Sequence, residues 1–190
     1  MKKSRAASLC ATGLLLAACS RVAPLEVFGQ VPPFQLTSQS GSVFDSQKEL
    51  KGHVWVADFI FTNCQGPCPR MSAQMRRLQA ATPPDVKFVS ITVDPERDTP
   101  PVLAEYAKKH QADGSRWSFL TGPQQELHRL KREVFLLGNV DGELNHSTRF
   151  VLIDRQSRIR GYYDTSEPES IQKLKRDIDR LRKEPVHETT

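Results

Sequence analysis

The chain has 190 residues, which is enough for one domain of ordinary size. It is 38% hydrophobic and 26% charged, as in typical globular proteins, and its negative mean hydropathy excludes a protein that is apolar throughout. The formal net charge is +5, but basic and acidic residues are interleaved, so the sequence does not indicate a nucleic-acid-binding stripe.

The first 18 residues have the pattern of a secretory signal peptide. Lys2, Lys3 and Arg5 form a basic start, and the apolar segment after them, about 13 residues long, is too short to span a bilayer. The segment ends in Leu16-Ala17-Ala18-Cys19, which resembles the lipobox of bacterial lipoproteins, where the cysteine carries the lipid. An ordinary cleaved signal followed by a chance cysteine is the alternative. We therefore expect residues 1–18 to be removed and Cys19 to be lipidated.

After the signal, residues 19–32 are expected to form a tether, residues 33–183 a folded domain and residues 184–190 a flexible tail. The elements predicted in the domain are, in chain order, a β-hairpin about Gly41, a strand at 54–61, a helix at 69–80, a strand at 86–93, a helix at 99–110, a strand at 117–120, a helix at 124–135, strands at 148–153 and 159–163, and a helix at 170–182. Alternation of strands and helices predicts an α/β fold with a mixed sheet flanked by helices.

Two cysteines, Cys64 and Cys68, follow the apolar strand at 54–61, at its turn into the next helix. Cys10 would leave with the signal peptide and Cys19 would carry lipid, so these two are the free thiols of the mature chain. Three residues separate them, so both sulfurs can reach one soft metal ion or each other. A pair of small buried apolar residues is the alternative. Thiols at the first strand-to-helix turn suggest a thioredoxin-like fold.

His146, just before the predicted strand at 148–153, is the candidate third ligand, because a neutral imidazole is a common metal ligand. A lone histidine is more often structural, so the residue type alone does not decide its role. Asp94 and Asp98 offer too few carboxylates for a hard-metal site. We predict that their loop is structural, with Asp98 supporting a helix N-cap at Thr99.

Three segments resemble, in the same order, conserved blocks of the Sco/SenC family of copper proteins. They are Thr62-x-Cys64-x-x-x-Cys68-Pro69, Val93-Asp94-Pro95-Glu96-Arg97-Asp98-Thr99-Pro100 and His146-Ser147-Thr148. The resemblance covers residues 33–182. It implies a thioredoxin-like fold, copper as the metal, and Cys64, Cys68 and His146 as its ligands. It also implies assembly of a copper centre, with a cytochrome c oxidase subunit and other copper carriers as partners.

The sequence departs from the family pattern at two positions beside the implied ligands. Gln65 stands where the family usually has proline, and Asn145 stands where it often has aspartate. An aspartate there would favour the protonated imidazole, so its absence changes the electrostatics of His146. Because the ligands themselves are retained, we expect the copper affinity to be tuned and not abolished.

Our first hypothesis is therefore a copper-binding assembly factor that is lipid-anchored on the periplasmic side of a bacterial membrane. The second is an enzyme, a thiol-disulfide reductase that acts on cysteines of a copper-site apoprotein, uses Cys64 and Cys68 and does not need His146. A peroxiredoxin-like peroxidase is the third, because such enzymes also place a threonine and a cysteine at this turn. A purely structural lipoprotein would leave the two thiols unexplained.

Overall fold

An eight-stranded sheet forms the centre of residues 23–138 and 147–185, the part of the chain that this computed structural model describes. Its strands are β1 (Gly29–Gln30), β2 (Gln35–Ser38), β3 (Val43–Asp45), β4 (Trp55–Ile60), β5 (Lys87–Thr92), β6 (Trp117–Thr121), β7 (Arg149–Ile153) and β8 (Arg158–Asp164). The helices are α1 (Ser46–Glu49), α2 (Pro67–Ala81), α3 (Pro100–Lys109), α4 (Gln124–Arg129), which continues as a π-helical turn (Leu130–Val134), and α5 (Pro168–Lys183).

The sheet has the order β1-β8-β7-β4-β5-β6-β2-β3. The central strands β4, β5 and β6 run parallel, and the remaining neighbours are antiparallel. The hairpin β2–β3 turns at Gly41, whose positive φ of 80° is a conformation that glycine adopts without strain. The predicted mixed sheet with a parallel centre and an N-terminal hairpin is therefore confirmed.

Strand β4 lies between two apolar layers, which explains why its sequence is a continuous apolar run without alternation. Val56 and Ile60 face the layer that contains α2 and both cysteines, whereas Trp55 and Phe59 face the layer formed with the π-helical turn. Met71 and Met75 of α2 are fully buried in the first layer. Among the described residues, no helix is long and apolar enough to cross a bilayer.

The predicted start of the domain at residue 33 requires correction. Gly29 and Gln30 pair with β8, and Val31 is buried. The Arg160 guanidinium also donates hydrogen bonds to the backbone carbonyls of Leu25 and Glu26. The described part of the expected tether thus packs on the domain, while residues 1–22, including Cys19, and the tail residues 186–190 lie outside the described residues.

Two predicted helices also differ from the structure. Helix α2 begins at Pro67, so Cys68 lies inside its first turn and not before it. The helix predicted at 124–135 changes to π geometry at Leu130. Thr99 does stand at the N-cap position of α3, but among the described residues its side chain makes no capping hydrogen bond.

Replacement of Gly161 by alanine is expected to lower the free energy of unfolding by about 1–3 kcal/mol. A Cβ atom at this position would lie 2.5 Å from the hydroxyl oxygen of Tyr163. That ring cannot easily move, because it is buried and its hydroxyl donates a hydrogen bond to Asp177 of α5 (2.8 Å). Urea denaturation measures the loss. The control is Gly114→Ala, where the added Cβ would meet no described atom within 4 Å, and equal losses in both variants would contradict the prediction.

Candidate metal centre

The two cysteines lie at the carboxyl end of β4, where the chain turns into α2. The backbone N–H of Cys64 donates to the carbonyl of Phe61 (3.3 Å), which closes the turn. Gly66 is the N-cap of α2, and Pro67 takes the first helical position, where a missing N–H costs little. This geometry brings Cys68 back beside Cys64 in the first turn of the helix.

Neither cysteine is in a disulfide, and both are buried, with 6% of the surface of Cys64 and 3% of that of Cys68 exposed. Burial raises the pKa of the Cys68 thiol to about 12; a hydrogen bond between the two cysteine side chains raises it further, and a hydrogen bond with the Phe61 backbone opposes the shift. Near neutral pH, Cys68 is therefore a thiol. A metal ion that bound here would have to displace its proton.

Asp98 joins the cysteine turn to the end of β5. Its carboxylate is completely buried and accepts hydrogen bonds from the backbone N–H of Thr62 (3.1 Å) and from the Thr62 hydroxyl. It also accepts one from the Thr92 hydroxyl. The predicted role of Asp98 in supporting the Thr99 cap is therefore replaced by a role in fixing the segment two residues before Cys64.

Asp94 does not share this buried position. Its carboxylate forms an ion pair with the largely exposed Arg97 (2.8 Å). Within residues 23–138 and 147–185, no group of three or more His, Cys, Asp and Glu side chains is arranged to hold a metal ion.

A second buried carboxylate, Asp58 in the middle of β4, was missed by the sequence analysis. It is 0% exposed and lies on the same face of the strand as Val56 and Ile60, which is the face that contacts the layer containing both cysteines. Burial raises its pKa to about 7, although a hydrogen bond from the Ser90 hydroxyl (2.6 Å) partly opposes the shift. The only sequence signal was a charged residue that interrupts the apolar run 54–61.

The π-helical turn carries a buried lysine, Lys131, of which only 3% is exposed. Burial lowers the pKa of its ammonium, the neighbouring Arg132 lowers it further, and Cys68 raises it. Lys131 is therefore within electrostatic reach of Cys68.

His146 lies outside the described residues, so its position relative to the sulfurs stays a prediction. Its neighbour Ser147 leads into β7, which pairs antiparallel with β4, Ala57 opposite Val151. Because the two strands run in opposite directions, β7 begins at the end of the sheet where β4 ends. The topology thus brings the chain at residue 147 to the same edge as the cysteine turn.

Comparison with known proteins identifies the family. The model of the SCO1/SenC family matches residues 25–183. Among curated proteins, the chain is similar to the SCO1 protein homolog of Bacillus subtilis, with 38% identity over 138 residues that cover 68% of this chain and 71% of the relative.

Solved structures agree with this result. The chain is similar to a SCO1/SenC family lipoprotein from Bacillus anthracis, with 36% identity and a TM-score of 0.75 over 85% of this chain and 100% of that one. It is similar to BsSco, a member of the Sco family of cytochrome c oxidase assembly proteins in which a disulfide switch was identified. The identity is 31% and the TM-score 0.71, over 83% of this chain and 96% of that one. It also resembles Bradyrhizobium japonicum ScoI with copper bound, with 25% identity and a TM-score of 0.62 over 80% of this chain and 99% of that one. These likenesses confirm the predicted fold class, and the chain belongs to the SCO1/SenC family.

Proposed function

We propose that this chain is a copper-binding assembly factor that holds copper at Cys64, Cys68 and His146. The supporting observation is the pair of buried thiols, not joined in a disulfide, whose side chains share a hydrogen bond at a single turn. A relative in the same family, ScoI, has a solved structure with copper bound. The acceptor would be the copper-site subunit of cytochrome c oxidase, since BsSco belongs to a family of oxidase assembly proteins.

The chemistry of the thiol pair suits copper(I) better than a hard metal ion. Copper(I) prefers soft sulfur ligands and tolerates low coordination numbers, so the two thiolates and the imidazole would suit it as a ligand set. A buried turn with few oxygen ligands would bind calcium or magnesium poorly, because these ions require several oxygen donors. The hydrogen bonds from Thr62 to Asp98 hold the turn in one arrangement before the metal arrives.

The same ligand set explains how the metal could be received and released. Ligands would be exchanged one at a time between a donor carrier, this protein and the acceptor subunit. If an oxidant removed two electrons from the thiolate pair, a disulfide would form and the metal would lose two ligands. Attachment to the membrane through lipid on Cys19, on the periplasmic side, would keep the domain near a membrane-bound oxidase.

Metal analysis of the reduced protein tests the ligand set. Cys64→Ala, Cys68→Ala and His146→Ala should each lower the copper(I) affinity by at least about 10-fold, because each removes one of three ligands. The measurement is competition with a chromophoric copper(I) chelator under anaerobic conditions. The matched control is His53→Ala. The imidazole of His53 lies before β4 and contacts the backbone carbonyl of Asp85, so its removal should not change the affinity.

Affinities that are equal in wild type and all three variants would refute the copper site. The reductase alternative makes a different prediction for the same proteins. His146→Ala would retain the reduction of a disulfide substrate, whereas both cysteine variants would lose it. A His146→Ala protein with wild-type copper affinity and full reductase activity would therefore favour the enzyme.

A further inference from the structure

Two neighbouring helices, α2 and α5, present basic side chains to solvent over the layer that contains both cysteines. Helix α2 includes Arg70, Arg76 and Arg77, all exposed, and has no acidic residue. Helix α5 contains more basic than acidic residues, and Asp177, one of the latter, is buried. Although basic and acidic residues are interleaved along the chain, the fold therefore gives this surface an excess of positive charge.

The spacing of the arginines in α2 directs two of them toward α5. Arg70 and Arg77 lie four residues before and three residues after Gln74, so the three side chains share one side of the helix. The side-chain amide of Gln74 donates a hydrogen bond to the carbonyl of Thr165 (2.9 Å), just before α5 begins. The side of α2 that carries Arg70 and Arg77 therefore borders α5.

Three cations of α5 complete this surface. Lys175, Arg176 and Lys183 are exposed, whereas the apolar side of the helix packs in the core. Together with Arg70 and Arg77, they form what we call the basic face. Among the described residues, none of these five side chains forms an ion pair. The charges of the basic face are thus not neutralised by ion pairs within the described part of the chain.

Cations elsewhere in the domain do have acidic partners. Lys173 pairs with Asp177 within α5. On the opposite layer of the sheet, Arg129 pairs with Glu126 (2.7 Å). The exposed Asp179 is the acidic residue of α5 that lies among the cations of the basic face, so a surplus of positive charge remains there. Such a surface attracts an anionic partner, and the attraction weakens as salt is added.

The segment that follows Cys19 indicates which anionic partner this is. Leu25 packs on the same layer as α2 and α5, and its carbonyl accepts a hydrogen bond from Arg160 (2.8 Å). Arg160 also pairs with Glu184, directly after α5 (3.1 Å). The chain therefore enters the domain beside the end of α5, on the side of the sheet that carries the basic face. A lipid on Cys19 would keep this face close to the membrane, which favours anionic phospholipids over an acidic protein.

We propose that the basic face binds anionic phospholipids of the membrane in which the protein is anchored, an inference that rests on the lipid anchor of the proposed function. Each Lys or Arg close to an anionic membrane surface strengthens binding about 5-fold. The cations of α2 and α5 act together because they lie on one side of the domain. The domain would then lie on these two helices.

This contact would fix the orientation of the cysteine turn relative to the membrane. Arg182, near the end of α5, pairs with Asp85, which follows α2 (2.9 Å), so both helices end at the same end of the sheet, opposite to the cysteine turn. Helix α2 has 15 residues and is therefore about 22 Å long. A domain that stood on its tethered end would hold the turn about that much farther from the membrane. Lying on the basic face keeps the turn beside the membrane, where a membrane-bound acceptor would meet it.

Co-sedimentation with lipid vesicles tests the proposal on the chain from Cys19 onward, produced without lipid. Wild type should bind vesicles made of phosphatidylcholine and phosphatidylglycerol in equal parts, and should bind vesicles of phosphatidylcholine alone only weakly. Arg77→Gln/Arg176→Gln should lower the partition coefficient for the anionic vesicles about 25-fold, because each lost cation costs about 5-fold. The matched control is Lys48→Gln/Lys51→Gln, which removes the same charge from exposed positions at α1 and should retain wild-type binding.

Equal losses in the two double variants would overturn the proposal, because net charge and not the basic face would then govern binding. Absence of binding to the anionic vesicles would also overturn it and would favour an acidic protein as the partner of this surface. The copper site is tested separately, since Arg77→Gln/Arg176→Gln should keep the wild-type copper(I) affinity in chelator competition. Vesicle binding by a wild-type protein that does not bind copper would support the basic face and refute the proposed ligand set. Mass spectrometry of the protein purified from membranes tests the lipid on Cys19 independently of both.

Discussion

Asp98→Ala is expected to lower the free energy of unfolding by about 3–5 kcal/mol and also to weaken copper(I) binding. The carboxylate is completely buried and receives the backbone N–H and hydroxyl of Thr62 and the hydroxyl of Thr92. Without it, the two donors of half-buried Thr62 and the hydroxyl of buried Thr92 lose their acceptor, and each such loss costs about 1–3 kcal/mol when the donor is buried. The turn that carries Cys64 would also lose its connection to the end of β5.

Guanidinium chloride denaturation and chelator competition measure the two effects. Asp98→Asn should give an intermediate result, because an amide oxygen still accepts from one of the donors while the amide N–H₂ group faces another donor. A folded Asp98→Ala protein with wild-type copper affinity would contradict the positioning role of Asp98 at the cysteine turn, even if the protein were less stable.

Asp154→Ala is expected to cause a loss of stability of similar size, about 3–5 kcal/mol, with no change in copper affinity. Asp154 lies at the turn between β7 and β8, where its carboxylate accepts from the guanidinium groups of Arg158 and Arg160, both at 2.7 Å. Arg160 is itself buried, so removal of Asp154 leaves a buried positive charge with weaker compensation from Glu184 (3.1 Å).

This variant is the stability-matched control for Asp98→Ala. Asp154 directly follows Ile153, the last residue of β7, which pairs with Trp55 at the start of β4; this is the end of the sheet opposite to the cysteine turn. Denaturation should therefore show a loss, while the copper(I) affinity measured on the folded protein should equal that of wild type. A loss of affinity equal to that of Asp98→Ala would show that general destabilisation, and not the turn, controls metal binding.

The main elements of the fold could be predicted from the sequence because their signals are local. An apolar run from Val54 to Phe61 predicts a strand buried on both faces, and Gly41 between two short strands predicts the hairpin. Strand β1 gave no such signal: it has two residues, and its partners on β8 lie more than a hundred positions away in the sequence. The π-helical turn was missed because Leu127, Leu130 and Val134 fit an ordinary helix equally well.

The candidate site was predictable only to the level of residue types and motif order. The spacing of Cys64 and Cys68 indicated that their sulfurs could meet, and the structure brings them into hydrogen-bond contact. The contact of Asp98 with Thr62, 36 residues away, could not be read from the sequence. The family resemblance left a supporting role near the site open for this loop, but Thr99 offered a simpler local explanation. Asp58 was counted as part of a strand, since the sequence does not show that its side chain is completely buried.

If Cys19 carries a lipid, the packing of Leu25 on the domain limits how far the domain can lie from a bilayer. Arg160 fixes the backbone at Leu25, so only six peptide links separate that point from Cys19, a reach of roughly 20 Å when fully extended. The domain would then stay within this distance of the lipid headgroups. An acceptor embedded in the same leaflet would then be within range, whereas one held farther from the surface would not.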